Sequence, residues 1–186
     1  MTARRPFAAL VRCLGAGAFL LGGCALSVEG DLPDIEVTQH DIVVPGAPAE
    51  AAGIDPMVSI PSFLQPRDHL ALDSGEYKSV KVHSVTITAK TRVTDLSFVR
   101  SLRMSMAGAR TSAASPAVEI VRYQRPAETV RGSVGPSLAM ESSPPAEVIG
   151  AWKDPQSVIT LEVQGALPGE TWTVDVTVHL SATLSY

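Results

Sequence analysis

Cysteine is almost absent from this chain of 186 residues, which has only two, Cys13 and Cys24, both near the N-terminus. Everything after Cys24 therefore lacks a disulfide, a thiol nucleophile and a thiolate ligand for a metal. The folded part must be held together by the packing of its side chains. A chain of this length can bury a normal hydrophobic core as a single domain.

Long apolar runs, closely spaced histidines and catalytic motifs are also lacking. The apolar stretch between Arg12 and Ser27 is too short and too rich in glycine for a membrane-spanning helix, which needs about 20 apolar residues. No two of the four histidines lie two or four positions apart, so there is no local pair of metal ligands. They are His40, His69, His83 and His179. We therefore expect no enzyme activity, no metal ion and no cofactor.

Basic residues are missing from one stretch of the chain, and acidic residues are scarce in another. Residues 24–55 contain seven acidic residues and no basic one, whereas residues 90–131 contain eight basic and three acidic residues. One interpretation is a patch that binds an anionic glycolipid or an acidic envelope protein. Its candidate residues are Arg100, Arg103, Arg122 and Arg125.

The alternative is that the acidic stretch neutralises these arginines across the fold. That interpretation predicts ion pairs between the arginines and Asp31, Asp34, Glu36 or Asp41. Nucleic acid is not an expected partner, because the chain has 19 acidic residues against 15 basic ones.

The N-terminus has the features of an export signal. Arg4, Arg5 and Arg12 precede an apolar run that ends at Leu21, and two glycines follow before Cys24. A basic region, a short apolar region and small residues at a cleavage site, in this order, are typical of a signal peptide.

The sequence Leu21-Gly22-Gly23-Cys24 resembles the lipobox of bacterial lipoproteins. The resemblance covers only the first two dozen residues. It implies that residues 1–23 are removed and that Cys24 carries covalent lipid, which makes the membrane a partner; two or more acyl chains give stable anchoring. An alanine at position 25, where an aspartate usually retains lipoproteins at the inner membrane, implies the outer membrane. The alternative is ordinary cleavage and a secreted protein.

The last segment of the chain has the strongest structural signal. Between Trp172 and Tyr186, the even-numbered residues are apolar or aromatic and the odd-numbered residues are polar. This alternation predicts a strand with one buried and one solvated face, long enough to bend or to cross between two sheets. His179 and Asp175 share its polar face but lie about 13 Å apart, too far for a catalytic dyad.

Further strands are predicted at residues 34–44, 78–90, 118–123 and 158–163, with a short one around 134–140. A change of phase at His83-Ser84 predicts a β-bulge in the second of them. Residues 45–66 are predicted as loop, and residues 95–101 as a helical turn before a strand at 102–106. Trp152 and Trp172 are predicted in the core rather than on a carbohydrate platform.

These elements predict an all-β fold, namely an antiparallel β-sandwich that is immunoglobulin-like in the loose architectural sense, with one short helical turn. The expected organisation is a signal peptide at 1–23, an acylated N-terminus and short tether at 24–30, and one domain at 31–186. We expect a binding, assembly or structural role in the cell envelope. The alternative is a carrier that holds a lipid or sugar in an apolar pocket of about 300 Å³ or more.

The lipobox leads to a direct prediction. Replacing Cys24 with serine should release the protein from the membrane fraction, because the thiol that accepts the lipid is lost. Fractionation of cells measures the release, and mass spectrometry of the wild-type protein should find an acylated residue 24 at its N-terminus. An unmodified chain that begins at another residue would contradict the prediction.

Overall fold

A computed structural model describes residues 29–47, 56–62, 76–90, 92–108, 117–130, 132–154 and 157–185. The predicted signal peptide, Cys24 and residues 25–28 of the predicted tether lie outside these ranges. The described residues form β1 (Glu29–Val44), β2 (Met57–Ser62), β3 (Glu76–Ala89), β4 (Val99–Ala107), β5 (Val118–Gln124), β6 (Ser137–Glu147), α1 (Ile149–Trp152), β7 (Val158–Gly165) and β8 (Trp172–Ser185). None of their helices is long and apolar enough to cross a membrane.

The eight strands form two four-stranded sheets. Sheet A has the order β1-β8-β3-β6 and sheet B the order β2-β7-β4-β5, and every pair of neighbours is antiparallel. Their buried faces share one hydrophobic core. The predicted all-β sandwich is therefore confirmed. Its strand order is that of a jelly roll, with two Greek keys wound together, which the sequence patterns did not predict.

Strand β8 has the predicted alternation along its whole length. Trp172, Leu180 and the other even-numbered residues through Leu184 are at most 4% exposed, and the odd-numbered residues are partly exposed. The strand pairs with β1 on one side and β3 on the other, so it lies inside sheet A and does not cross to sheet B. Its apolar face is the centre of the core.

Strand β3 contains the predicted bulge. Its register against both β6 and β8 shifts between Val82 and Ser84. Val80 and Val82 before the shift, and Val85 and Ile87 after it, are all at most 2% exposed. The extra residue returns the second half of the strand to the core face, as the change of phase in the sequence indicated.

Two predictions about local structure were wrong. Residues 57–62 form β2 rather than loop; β2 is an edge strand, where Pro61 removes no hydrogen bond that the sheet needs. Residues 95–101 form no helical turn. The short helix is at Ile149–Trp152, and β4 already begins at Val99. Strand β6 is also longer than the strand predicted at 134–140. It too is an edge strand, and an edge position accommodates Pro144 and Pro145.

The two tryptophans are core residues, as predicted. Trp152 and Trp172 are 3% and 4% exposed. Trp172 packs edge-to-face against Phe98 with ring centroids 5.4 Å apart, and Trp152 packs similarly against Tyr77 at 6.2 Å. Such pairs are a favourable geometry for aromatic rings. The rings are thus not available as a flat surface for a sugar.

The sandwich has two ends, which we call the N-terminal pole and the distal pole. Strands β1 and β3 begin at the N-terminal pole, where β8 ends. At the distal pole, β1 and β3 end, β8 begins, and the described parts of four connections meet. The connections approach closely there: the backbone N–H of Ala47 donates to the carbonyl of Pro168 at 3.0 Å, and a Cβ on Gly46 would overlap Gly169.

The two faces of β8 should differ in their tolerance of charge. We expect Val176→Asp to unfold the domain, because an unpaired carboxylate in the core costs several kcal/mol. Thr177→Asp on the outer face should change the free energy of unfolding by no more than about 1 kcal/mol. The new carboxylate can accept a hydrogen bond from the hydroxyl of Thr38, which bonds to Thr177 in the wild type. Thermal unfolding measures both, and equal tolerance would disprove the assignment of faces.

Candidate functional site

Charge is divided between the two sheets. The strands of sheet A carry nine carboxylates and two lysines, five of the carboxylates on edge strand β1. The strands of sheet B carry two carboxylates and three arginines. The charge asymmetry seen along the sequence is thus an asymmetry between two layers of the fold. Acidic side chains on β1 also discourage other strands from pairing with its open edge.

Two of the predicted arginines lie side by side on the outer face of sheet B, and both are bound by carboxylates. Arg103 and Arg122 are opposite each other in the register of β4 and β5. Arg122 donates to both oxygens of Glu119 at 3.0 and 2.7 Å, and Arg103 Nε lies 2.8 Å from Glu119 and its Nη1 3.8 Å from Glu162. The hydrogen bond from Arg122 lowers the pKa of Glu119 below its usual value.

The other two predicted arginines lie nearer the distal pole. The backbone N–H of Arg125 donates to the carbonyl of Arg100 at 2.8 Å, and the guanidinium of Arg125 donates to the carbonyl of Ser97. The structure therefore brings all four arginines onto or next to two neighbouring strands. Carboxylates of the same sheet pair with Arg103 and Arg122.

The predicted pairing of these arginines with the acidic N-terminal stretch is wrong for Arg103 and Arg122. Their partners, Glu119 and Glu162, are on β5 and β7. The reason is topological: β1 is an edge strand of sheet A, whereas β4 and β5 belong to sheet B. Glu119 is only three positions from Arg122, so a local partner was present within the basic stretch itself.

One contact does join the acidic and basic stretches, and it involves a lysine. Lys90 Nζ lies 3.2 Å from Asp41 and 3.1 Å from Asp175. His40 Nδ1 lies 3.0 Å from Asp175, whose other oxygen accepts the backbone N–H of Asp41 at 2.9 Å. Burial acts to raise the pKa of Asp175, but these hydrogen bonds outweigh it and lower the pKa to about 2.

This network joins β1 and β8 to the residue that follows β3, near the distal pole. His179 lies on the same strand as Asp175, but the histidine that contacts Asp175 is His40 on the neighbouring strand β1. The hydroxyls of Thr38 and Thr177, which lie on the same face, bond to each other at 3.0 Å. Asp41 has a positive φ of 56°, within a register shift of β1 that turns its backbone N–H toward Asp175. The network thus acts as a structural clamp, which means that it holds the ends of neighbouring strands together.

A second clamp holds the loops of the distal pole together around Asp95. One carboxylate oxygen accepts the backbone N–H groups of Val134 and Gly135 at 3.1 and 2.9 Å. The other accepts those of Ser97 and Gly132, both at 3.1 Å, and the hydroxyl of Ser97. Gly132 and Gly135 have φ of +86° and +78°, a backbone conformation that favours glycine.

The hydrogen bonds to Asp95 make it an unusually strong acid. The hydroxyl of Ser97 contributes most, burial opposes it, and the backbone N–H groups add to it, so the pKa of Asp95 falls to about 2. In the sequence, Asp95 stood out only as one of three acids in a basic stretch. The other sequence feature of this contact is the Gly-rich turn from Gly132 to Gly135, which lies nearly 40 positions away.

Two clefts are lined entirely by described residues, and both open to solvent. The larger, of about 410 Å³, lies at the distal pole between loop 92–98 and residues 166–168. The smaller, of about 200 Å³, lies on the outer face of sheet B between Met57, Arg122, Gln124 and Gln164. Neither is an enclosed apolar pocket. No group of three acidic, histidine or cysteine residues in the described part of the chain could hold a metal ion.

Comparisons with known proteins add little to this geometry. No protein-family model matches the chain, and no curated protein matches its sequence. Among solved structures, that of the decameric BFDV capsid protein is similar over 84% of this chain and 99% of its own, with 9% identity and a TM-score of 0.40. The hydrogen-bonded strand order remains the basis for the fold described above.

The Asp95 clamp predicts a specific dependence of stability on pH. Its folded-state pKa of about 2 lies below the ordinary value of 3.8, so its stabilising effect is present above about pH 4 and is lost as the pH falls toward 2. Asp95→Asn should unfold at a lower temperature at pH 7, because the amide offers one acceptor and turns donors toward backbone N–H groups.

When the pH is lowered from about 7 to about 2, Asp95→Asn should also lose less of its free energy of unfolding than the wild type does, since one titrating group is removed. Glu141→Gln, the same chemical change at an exposed position of β6, is the control. Identical pH profiles for wild type and Asp95→Asn would show that the clamp does not stabilise the fold.

Proposed function

We propose that this protein is a lipid-anchored module of the bacterial cell envelope, with a non-enzymatic role in binding, assembly or structure. Acylated Cys24 attaches it to a membrane, the outer membrane where the cell has two. The sandwich is the exported, functional part. The resemblance to the lipobox supports the anchor, and the arrangement of the polar residues supports the absence of catalysis.

The observation that carries the proposal is that the fold is already formed at Glu29, close to Cys24. Strand β1 starts at Glu29, five positions after Cys24, inside the segment expected to be a tether. Four intervening residues span at most about 14 Å. A domain on such a tether stays next to the lipid surface, with its N-terminal pole toward the membrane and its distal pole outward.

The polar clusters support a binding or structural role over catalysis. Among the carboxylates that the structure describes, Asp95 and Asp175 have the lowest pKa values, and each accepts several hydrogen bonds that join strands or loops. A general base must reach a nucleophile or a substrate proton, and these carboxylates are directed at backbone N–H groups and side chains of the protein itself. Their geometry stiffens the distal pole, which suits a surface that presents a fixed shape to a partner.

The carrier alternative receives less support. A carrier of lipid or sugar would enclose its ligand in an apolar pocket. The cleft of about 410 Å³ is large enough, but it is open and lined partly by Arg92, Asp95 and Ser97. The core-facing side chains of both sheets instead pack against one another in a single cluster.

The short tether predicts how the two poles lie relative to the membrane. Once Cys24 is acylated and the signal peptide is removed, a new cysteine is the only free thiol, since the chain has no others. Fluorophores should be attached at Glu76→Cys at the N-terminal pole and at Val130→Cys, an exposed position at the distal pole. The 14 residues of β8 place the poles about 46 Å apart.

Quenchers on the lipid headgroups, which act only at short range, should then quench the fluorophore at position 76 strongly and the one at position 130 weakly in vesicles. The same vesicles with a quencher in solution control for exposure of the two dyes. Equal quenching at both positions, or stronger quenching at position 130, would contradict the proposed arrangement.

A further inference from the structure

We propose that the outer face of sheet B binds a neutral saccharide, with one sugar ring of an envelope glycan seated in its cleft. The inference deepens the binding role proposed above by naming a ligand class and a site. It does not depend on the anchor. The cleft has a volume of about 200 Å³ and is lined mainly by Met57, Ser101, Arg122, Gln124, Glu162 and Gln164.

The lining residues are set in two rows across the four strands of sheet B. The register aligns Met57, Gln164, Ser101 and Gln124 in one row. The adjacent row consists of Ser59, Glu162, Arg103 and Arg122. Rows two residues apart along a strand are separated by about 7 Å, and neighbouring strands by about 4.8 Å. Side chains on paired strands hold their positions better than side chains on loops.

The functional groups in these rows match the hydroxyls of a sugar. Each sugar hydroxyl can donate one hydrogen bond and accept others, and amides, carboxylates and guanidinium groups offer two such partners in one plane. The side-chain amide of Gln124 has no hydrogen-bond partner among the described residues. Ser101 donates to Gln164 at 3.1 Å, which orients that amide beside the cleft.

The charge balance of the face favours a neutral ligand over an anion. Arg103 and Arg122 lie among Glu119 and Glu162, two positive groups against two negative ones. An anion would meet arginines whose charge Glu119 and Glu162 already neutralise, and it would be repelled by those two carboxylates. A polyol needs only hydrogen bonds and leaves the ion pairs in place.

One exposed apolar side chain completes the site. Met57 is 66% exposed at the edge of the cleft, on an otherwise polar face. Its unbranched thioether adapts to irregular shapes and can cover the C–H face of a sugar ring. The volume of the cleft is below the range of about 300–1,000 Å³ typical of pockets for larger ligands, so the cleft itself suits one ring of a glycan whose other rings stay outside it.

The test is saturation-transfer NMR on the full acylated protein in a detergent without a sugar headgroup. The neutral probes are glucose, galactose and N-acetylglucosamine, and the anionic probes are glucuronate and inorganic phosphate. At least one neutral sugar should bind, and more tightly than either anion. Gln124→Ala and Met57→Ala should weaken that binding about threefold to tenfold, the effect of losing one hydrogen bond or contact.

Thr86→Ala, on the outer face of sheet A, is the matched control and should leave sugar binding unchanged. The double variant Glu119→Gln, Glu162→Gln frees both arginines and should gain binding of phosphate and glucuronate. Folding of each variant is verified by thermal unfolding, so that lost binding is not mistaken for unfolding.

Three results would overturn the inference. The wild type could bind phosphate or glucuronate more tightly than any neutral sugar, or it could show no saturation transfer to any neutral sugar. The third result is sugar binding that is as tight in Gln124→Ala and Met57→Ala as in the wild type. The mass of residue 24 in the same preparation decides the anchor separately. An unacylated protein that binds sugar would contradict the anchor and leave the saccharide site standing.

Discussion

The rest of this structure depends on burying the apolar face of β8. The strand is hydrogen-bonded on both edges, and its even-numbered side chains lie between the sheets along its full length. No cysteine follows Cys24, so hydrophobic burial does what disulfides do in many exported domains. The bulge in β3 serves the same requirement, because it keeps Val80 and Val85 on the core face of a strand that would otherwise change phase.

Polar clamps complement this core at the distal pole. Asp95 accepts backbone N–H groups from the distant turn at 132–135, and Asp175 accepts one from Asp41 together with contacts from the side chains of His40 and Lys90. The pKa of each falls to about 2. Both remain charged throughout the ordinary range of pH. Loops that would be variable in a sandwich without cross-links are thereby fixed to one another.

The charge pattern has a different meaning in three dimensions than along the chain. Strand β1 contributes five carboxylates to an edge of sheet A, and Arg103 and Arg122 pair with carboxylates within sheet B. The result is an acidic layer and a nearly neutral one. On the outer face of sheet B, the carboxylates that pair with Arg103 and Arg122 come from neighbouring strands of the same sheet, not from the acidic N-terminal stretch.

Much of the local structure was determined by the sequence alone. Alternation from Trp172 to Ser185, the change of phase at His83-Ser84 and the burial of Trp152 follow from which side chains avoid water. Edge strand β2 was missed and edge strand β6 was predicted too short, since Pro61 and Pro144 break a pattern that an edge tolerates. Only the tertiary structure decided the jelly-roll order and the partners of Asp95, Asp175 and Arg103. The periodicity of a sequence indicates which face of one strand is buried. The register between strands that are distant in sequence depends on how all the core side chains pack together.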